Sequence, residues 1–176
     1  MTTRRKAPER TGPASIPAAS AGARAPAQFV FGTTNLKRYE FPTHINDLVV
    51  DRAAASCSEV FVVVVHPGKA PPWHKHDDTE QIFFVMEGKG TLTIGADKRR
   101  FPVVPGDIVR VPVATFHSIR AEGSADLKYL CVDCFGGGRA PDEPTWEDHV
   151  KALCRGQGWD YATVVGSHRP GGAACK

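Results

Sequence analysis

The segment Gly68-Lys69-Ala70-Pro71-Pro72-Trp73-His74-Lys75-His76-Asp77-Asp78-Thr79-Glu80-Gln81-Ile82-Phe83-Phe84-Val85-Met86-Glu87-Gly88 decides how the chain folds. In extended backbone, His74 and His76 project from one face, so their imidazoles can share one ion. A second segment, Pro105-Gly106-Asp107-Ile108-Val109-Arg110-Val111-Pro112-Val113-Ala114-Thr115-Phe116-His117, brings a third histidine after a proline-led turn at the head of another strand. Three histidines converging from different strands form the nitrogen-rich shell that suits Zn, Fe, Mn, Ni, Co or Cu.

Around these segments run short β-type stretches: Glu59 to Val65, Gln81 to Met86, Gly90 to Ile94, Arg99 to Val104, Asp107 to Val111, Phe116 to Ala121 and Leu127 to Phe135. Turn residues separate them at the spacing of an all-β sandwich or barrel, and strands do not alternate with helices as in a doubly wound sheet. One helix is expected from about 144 to 155. Thr145 and Asp148 stand in capping-box spacing, Trp146, Val150 and Leu153 form an apolar stripe, and Gly156 supplies the stop. That stripe is expected to bury against the outer face of the β-structure, making Trp146, Trp159 and Tyr161 packing residues.

The two histidine segments resemble the two motifs of the cupin superfamily. Gly68, His74, His76 and Gly88 fall into the first motif, and Pro105, Gly106, Pro112 and His117 follow the second in order. Two departures stand out: Pro105 and Gly106 are adjacent, and Ala121 occupies the place often held by Asn. The resemblance implies an all-β cupin barrel (a double-stranded β-helix or jelly roll) over residues 29–136. It also implies one bound divalent metal and pairing into a homodimer. Residues 137–176 then form a C-terminal extension with the helix, and 1–28 a disordered tail.

Counting back from Gly88 puts the motif's carboxylate position at Gln81, with four residues between it and His76; Glu80 keeps a three-residue spacing from His76 but leaves seven residues before Gly88. The two point to opposite faces of a strand. Gln81 is the preferred fourth ligand beside His74, His76 and His117, with Glu80 or a metal-bound hydroxide left as the general base. Three neutral imidazoles and a neutral amide leave a dication at its full charge. Such an ion is a better Lewis acid and is harder to oxidise, which favours polarising a carbonyl or hydroxyl over dioxygenase chemistry. The His-His-Gln-His set is similar to that of a small cupin enzyme converting unsaturated uronates, in ligand spacing only.

Strand alternation from Gln81 adds Phe83 and Val85 to the inner face, and alternation from His117 adds Ile119 and Ala121. Trp73, Phe116 and Arg110 are expected near the mouth, with Arg110 or Lys128 available to a substrate carboxylate. His44, His66, His149 and His168 lie outside both motifs.

Composition narrows the remaining classes. The chain of 176 residues carries 22 Lys plus Arg against 19 Asp plus Glu. Residues 1–28 hold five basic groups against Glu9 alone, so the remainder is slightly acidic and has no basic face for nucleic acid. No apolar run reaches the length of a membrane span, and the start lacks the apolar core of a secretory signal, so a cytoplasmic protein is expected. Five cysteines give no disulfide framework; Cys131 and Cys134 have C-x-x-C spacing but sit on a strand, facing opposite ways. The expected function is a metal-dependent enzyme on a small oxygenated carbonyl or acid substrate, of isomerase, tautomerase or lyase type. A dioxygenase and a non-catalytic ligand-binding cupin stand as alternatives.

Overall fold

In a computed structural model of the chain, residues 28–138 and 140–166 are described. The expected disordered tail, apart from Gln28, lies outside them, as do His168 and Cys175. The chain divides into Met1–Val30 and Phe31–Lys176, and every element below belongs to the second unit.

The strands are β1 (Lys37–Glu40), β2 (Ile45–Val50), β3 (Ser58–Val65), β4 (Glu80–Glu87), β5 (Lys89–Ile94), β6 (Arg99–Val103), β7 (Ile108–Val111), β8 (His117–Glu122) and β9 (Leu127–Cys134). They form two sheets, one ordered β1-β2-β3-β9-β4-β7 and one ordered β6-β5-β8, with antiparallel pairing throughout. The facing sides share one core, to which Val63, Val85 and Tyr129 come from the larger sheet and Leu92 and Ile119 from the smaller. This is the expected jelly roll. β1 and β2 lie outside the expected strands; in β2 Asn46-Asp47 interrupts the apolar pattern.

Period-two alternation explains the long apolar run in β3. Phe61, Val63 and Val65 enter the main core, whereas Val62 and Val64 form a second cluster with Ile45 on the other face. In β9 the same alternation buries Cys131 and leaves Cys134 partly exposed, on opposite faces as expected.

The tight connection from β4 to β5 depends on Gly88. Its φ is +75°, and a Cβ there would stand 2.1 Å from the Asp126 carbonyl oxygen. Only glycine fits both demands.

The helix α1 spans Trp146–Gln157. Thr145 is its N-cap, accepting from the Asp148 N–H at 3.2 Å. The stop is Gly158 rather than Gly156: Gly158 takes the left-handed conformation and returns its N–H to Arg155 and Cys154, while Gly156 remains helical. A short helix not expected from the pattern, α2 (Tyr161–Gly166), follows; the Asp160 carboxylate accepts from Ala162 N–H and the Thr163 hydroxyl.

The placement of α1 departs from expectation. Its stripe of Trp146, Val150 and Cys154 joins the main core instead of the outer face, and the Trp146 ring lies 4.6 Å from Phe61 and 6.0 Å from Tyr39. The six-stranded sheet is wider than its three-stranded partner. The inner sides of β1 and β3 therefore need another cover, and α1 supplies it. No helix among the described residues is long and apolar enough to cross a membrane.

Candidate metal centre

His74, His76 and His117 meet. One ligand atom from each lies within 4.8 Å of the others, and no other such group of three His, Cys, Asp or Glu side chains occurs among the described residues. Backbone pairing sets this geometry. His74 and His117 exchange N–H···O bonds of 3.2 and 2.8 Å as an antiparallel bridge, and the Ala114 N–H donates to the His76 carbonyl at 2.7 Å. Ala114 adopts a φ of +57° in the turn before His117, a left-handed conformation that a non-glycine residue holds only where its surroundings impose it.

Carbonyl oxygens fix the imidazole tautomers. Nδ1–H of His74 donates to the Pro72 carbonyl at 2.7 Å, and Nδ1–H of His117 to the Thr115 carbonyl at 3.0 Å. Since a carbonyl only accepts, each Nδ1 carries the proton and each Nε2 keeps its lone pair. The Nε2 of His76 is buried without a partner. Burial pushes all three imidazoles toward the neutral form, His76 to about 2 and His117 to about 4, with repulsion from His74 adding to it at His76 and His117. Neutral imidazole is the form that ligates a metal.

Gln81 is buried and lines the same cavity as the histidines. Its Nε2 donates to Asp133 Oδ1 at 2.8 Å, and its Oε1 is buried without a partner. A glutamate at this position would have no hydrogen to give Asp133. Glu80 points the other way, to the exposed face of β4, where Arg110 binds its carboxylate. Unpartnered acceptors on Gln81 and His76, next to two imidazoles with bare Nε2 atoms, fit a bound cation.

The cavity measures about 100 Å³ and is lined by the three histidines and Gln81, with Phe83 and Ile119 from the expected pocket. Val85 faces inward but is buried in the core, away from the lining. Trp73 and Phe116 stack on each other at 5.8 Å, partly exposed, and do not line the cavity. They neighbour His74 and His117 in the chain, so alternation turns them outward. Arg110 and Lys128 are also on the outside, paired with Glu80 and Glu87 rather than poised at the mouth.

Several lining residues are ones the motifs do not mark: His44, Asn46, Cys131, Asp133 and, from α1, His149, Leu153 and Gln157. Alternation along β9 from Cys131 places Asp133 on the inner face, a signal present in the sequence. For His149 no such signal exists, because it depends on where the helix docks. Asn46 Oδ1 is a further buried acceptor without a partner. His44 is pushed down to about 3 by burial, with the nearby His74 adding to it. His66 lies at the surface, paired with Asp126 at 2.9 Å.

Behind Gln81 lies a buried charge network. Arg52 donates to both carboxylate oxygens of Glu59, from Nε at 2.6 Å and Nη2 at 2.7 Å. Its Nη1 reaches Glu143 Oε2 at 3.3 Å. Burial pushes the carboxyls of Glu59 and Asp133 above their usual range, and the charge of Asp133 adds to the rise at Glu59. Buried charges of this kind persist only when paired and hydrogen-bonded.

Residues 61–133, from β3 to β9, match the model of the cupin domain. That stretch is a cupin domain. The chain is 37% identical over 68 residues to an uncharacterised protein of Methanocaldococcus jannaschii, covering 39% of this chain and 53% of that one. It is 30% identical over 87 residues to quercetin 2,3-dioxygenase of Bacillus subtilis, covering 49% of this chain and 25% of that enzyme. The chain thus spans about half or less of these curated relatives. Among solved structures, one described as a predicted oxalate decarboxylase from Thermotoga maritima superposes with a TM-score of 0.56 at 18% identity, covering 61% of this chain and 99% of that one. At that identity the likeness is one of fold. Cupins commonly hold a metal, and cupin enzymes act on small molecules.

Proposed function

We propose that this cupin is a metal-dependent enzyme of small-molecule metabolism, with His74, His76, Gln81 and His117 holding one divalent transition metal. Its reaction is an isomerisation, tautomerisation or lyase step on an oxygenated carbonyl or acid substrate. The observation that carries this reading is the buried, unpartnered Oε1 of Gln81, oriented by the bond from Nε2 to Asp133. It replaces a carboxylate with a neutral oxygen. When bound, a divalent ion among neutral ligands supplies Lewis-acid polarisation of a carbonyl or hydroxyl oxygen.

The residues of the chain account for the rest. Phe83, Ile119 and Leu153 give the cavity apolar walls that exclude water, while Asn46 Oδ1 offers an acceptor to a substrate hydroxyl. A volume of about 100 Å³ admits a small acid or one end of a larger molecule. Glu80, on the outer face with Arg110, has no route to such a substrate. We also propose a cytoplasmic homodimer without nucleic-acid partners, as the resemblance and the acidic β-domain suggest.

A dioxygenase is the second reading, favoured by the 30% identity to quercetin 2,3-dioxygenase. Metal analysis of the purified protein, with a panel of keto acids, uronates and phenolics assayed beside an oxygen electrode, separates the two. The expected result is metal in the wild type and in Glu80→Ala, its loss in Gln81→Ala, and turnover without oxygen uptake. Metal loss in Glu80→Ala but not in Gln81→Ala overturns the ligand set, and substrate-dependent oxygen uptake overturns the reaction class.

A further inference from the structure

One wall of the cavity comes from outside the β-domain. On α1, His149 lines the same space as His74, His76 and His117. Its Nδ1 is 2.7 Å from Glu143 Oε2. A carboxylate accepts, so the proton sits on Nδ1, and Nε2 remains the basic nitrogen. Glu143 is held in turn by Arg52, whose guanidinium is locked onto the fully buried Glu59. Contact with His149 first and with Arg52 beyond it holds the Glu143 carboxyl below its usual range, so it stays an acceptor. The Trp146 ring packs against the imidazole at 5.5 Å.

We infer that His149 is the acid–base residue of this site, with Glu143 as the residue that positions it. The inference rests on the metal reading above and assigns the proton acceptor that this reading leaves open. In the step, Nε2 takes the proton from the carbon next to a substrate carbonyl. The C–H electron pair moves into the new C=C bond while the carbonyl π pair becomes the enolate oxygen's. The proton then returns from Nε2 to the same carbon or to another position, and nothing is oxidised or reduced. The partner carboxylate keeps the tautomer and stabilises the imidazolium formed on the way, as in other His–carboxylate pairs. The Arg52–Glu59 pair thus anchors Glu143, and the charges of Arg52 and Glu59 are also felt at Asp133 behind Gln81.

The test uses the full-length, metal-loaded protein with pyruvate as probe. Exchange of the methyl protons for deuterium in D2O is followed by NMR, with metal content measured on each sample. Wild type is expected to catalyse exchange, and His149→Gln to lose it by about 100-fold or more with metal retained. A histidine side-chain nitrogen spectrum provides the readout independent of turnover. It should show His149 protonated at Nδ1 and bare at Nε2, and mixed tautomers in Glu143→Gln. Equal exchange in wild type and His149→Gln, no exchange in metal-loaded wild type, or a proton on Nε2 with Nδ1 bare, each overturns the assignment. If the purified protein holds no metal, the metal reading fails by itself, and the tautomer measurement still decides whether Glu143 sets His149.

Discussion

Gln81 and Asp133, buried on neighbouring strands, are joined by one hydrogen bond of 2.8 Å from the amide Nε2 to Oδ1. That bond decides which end of the amide faces the histidines. Asp133→Asn removes the decision, because an asparagine both donates and accepts and so tolerates either orientation of Gln81. Metal affinity should fall by about 10- to 100-fold, the usual cost of losing an outer partner of a ligand. Competition against a chromophoric chelator measures it, with circular dichroism checking that the fold is kept.

Trp146 joins α1 to the inner faces of β1 and β3 and is 1% exposed. Trp146→Ala should cost about 3–5 kcal/mol in a urea melt, from lost transfer energy and the cavity left behind. The same variant should admit a water-soluble quencher to the interior and raise fluorescence quenching of the remaining tryptophans.

Gly88→Ala combines a left-handed backbone with a Cβ driven against the Asp126 carbonyl oxygen. Strain at such a position alone costs about 1–3 kcal/mol, and here the obstacle is backbone that cannot rotate away. Thermal unfolding of Gly88→Ala should therefore occur well below wild type. Gly106→Ala shares the positive φ but meets nothing within 4 Å, and should lose less.

Glu147 ties α1 to its neighbours. The Tyr161 hydroxyl donates to it first in importance, then Lys37 and Lys151, and together they pull its carboxyl down from 4.5 to about 2. A carboxylate depressed in the folded state stabilises fully above its unfolded value, and that contribution is lost as pH falls through the folded one. Helix docking should accordingly weaken between about pH 4.5 and 2. Near-ultraviolet circular dichroism should show this as a loss of Trp146 signal that is reduced in Glu147→Gln. The carboxylate is well exposed, so the effect is small and should shrink further in salt.

Local patterns carried much of this structure in readable form. Strands β4, β7, β8 and β9 show period-two alternation, and the N-cap at Thr145 is legible as a capping box. Counting back from Gly88 puts Gln81 rather than Glu80 on the inner face, where the structure has it. What pattern does not encode is who covers whom. The stripe on α1 says that the helix buries one face, but not that this face meets Phe61 and Tyr39. The same blindness hides His149 and turns Trp73, Phe116 and Arg110 into expected pocket residues when their side chains lie outside. β2 escapes the pattern because the inward Asn46, an acceptor in the cavity, breaks the apolar rhythm by which a strand is recognised.

The helical wall of the cavity separates two kinds of inheritance. The proposed ligands lie between residues 74 and 117, whereas Glu143, His149, Leu153 and Gln157 lie beyond the last strand, after the run Gly136-Gly137-Gly138. A change in the later stretch can reshape what reaches the ion and which group exchanges protons there, with the ion's own shell left intact. Such a jelly roll can vary the lining of its cavity by exchanging its final segment, while the three histidines stay where the strands hold them.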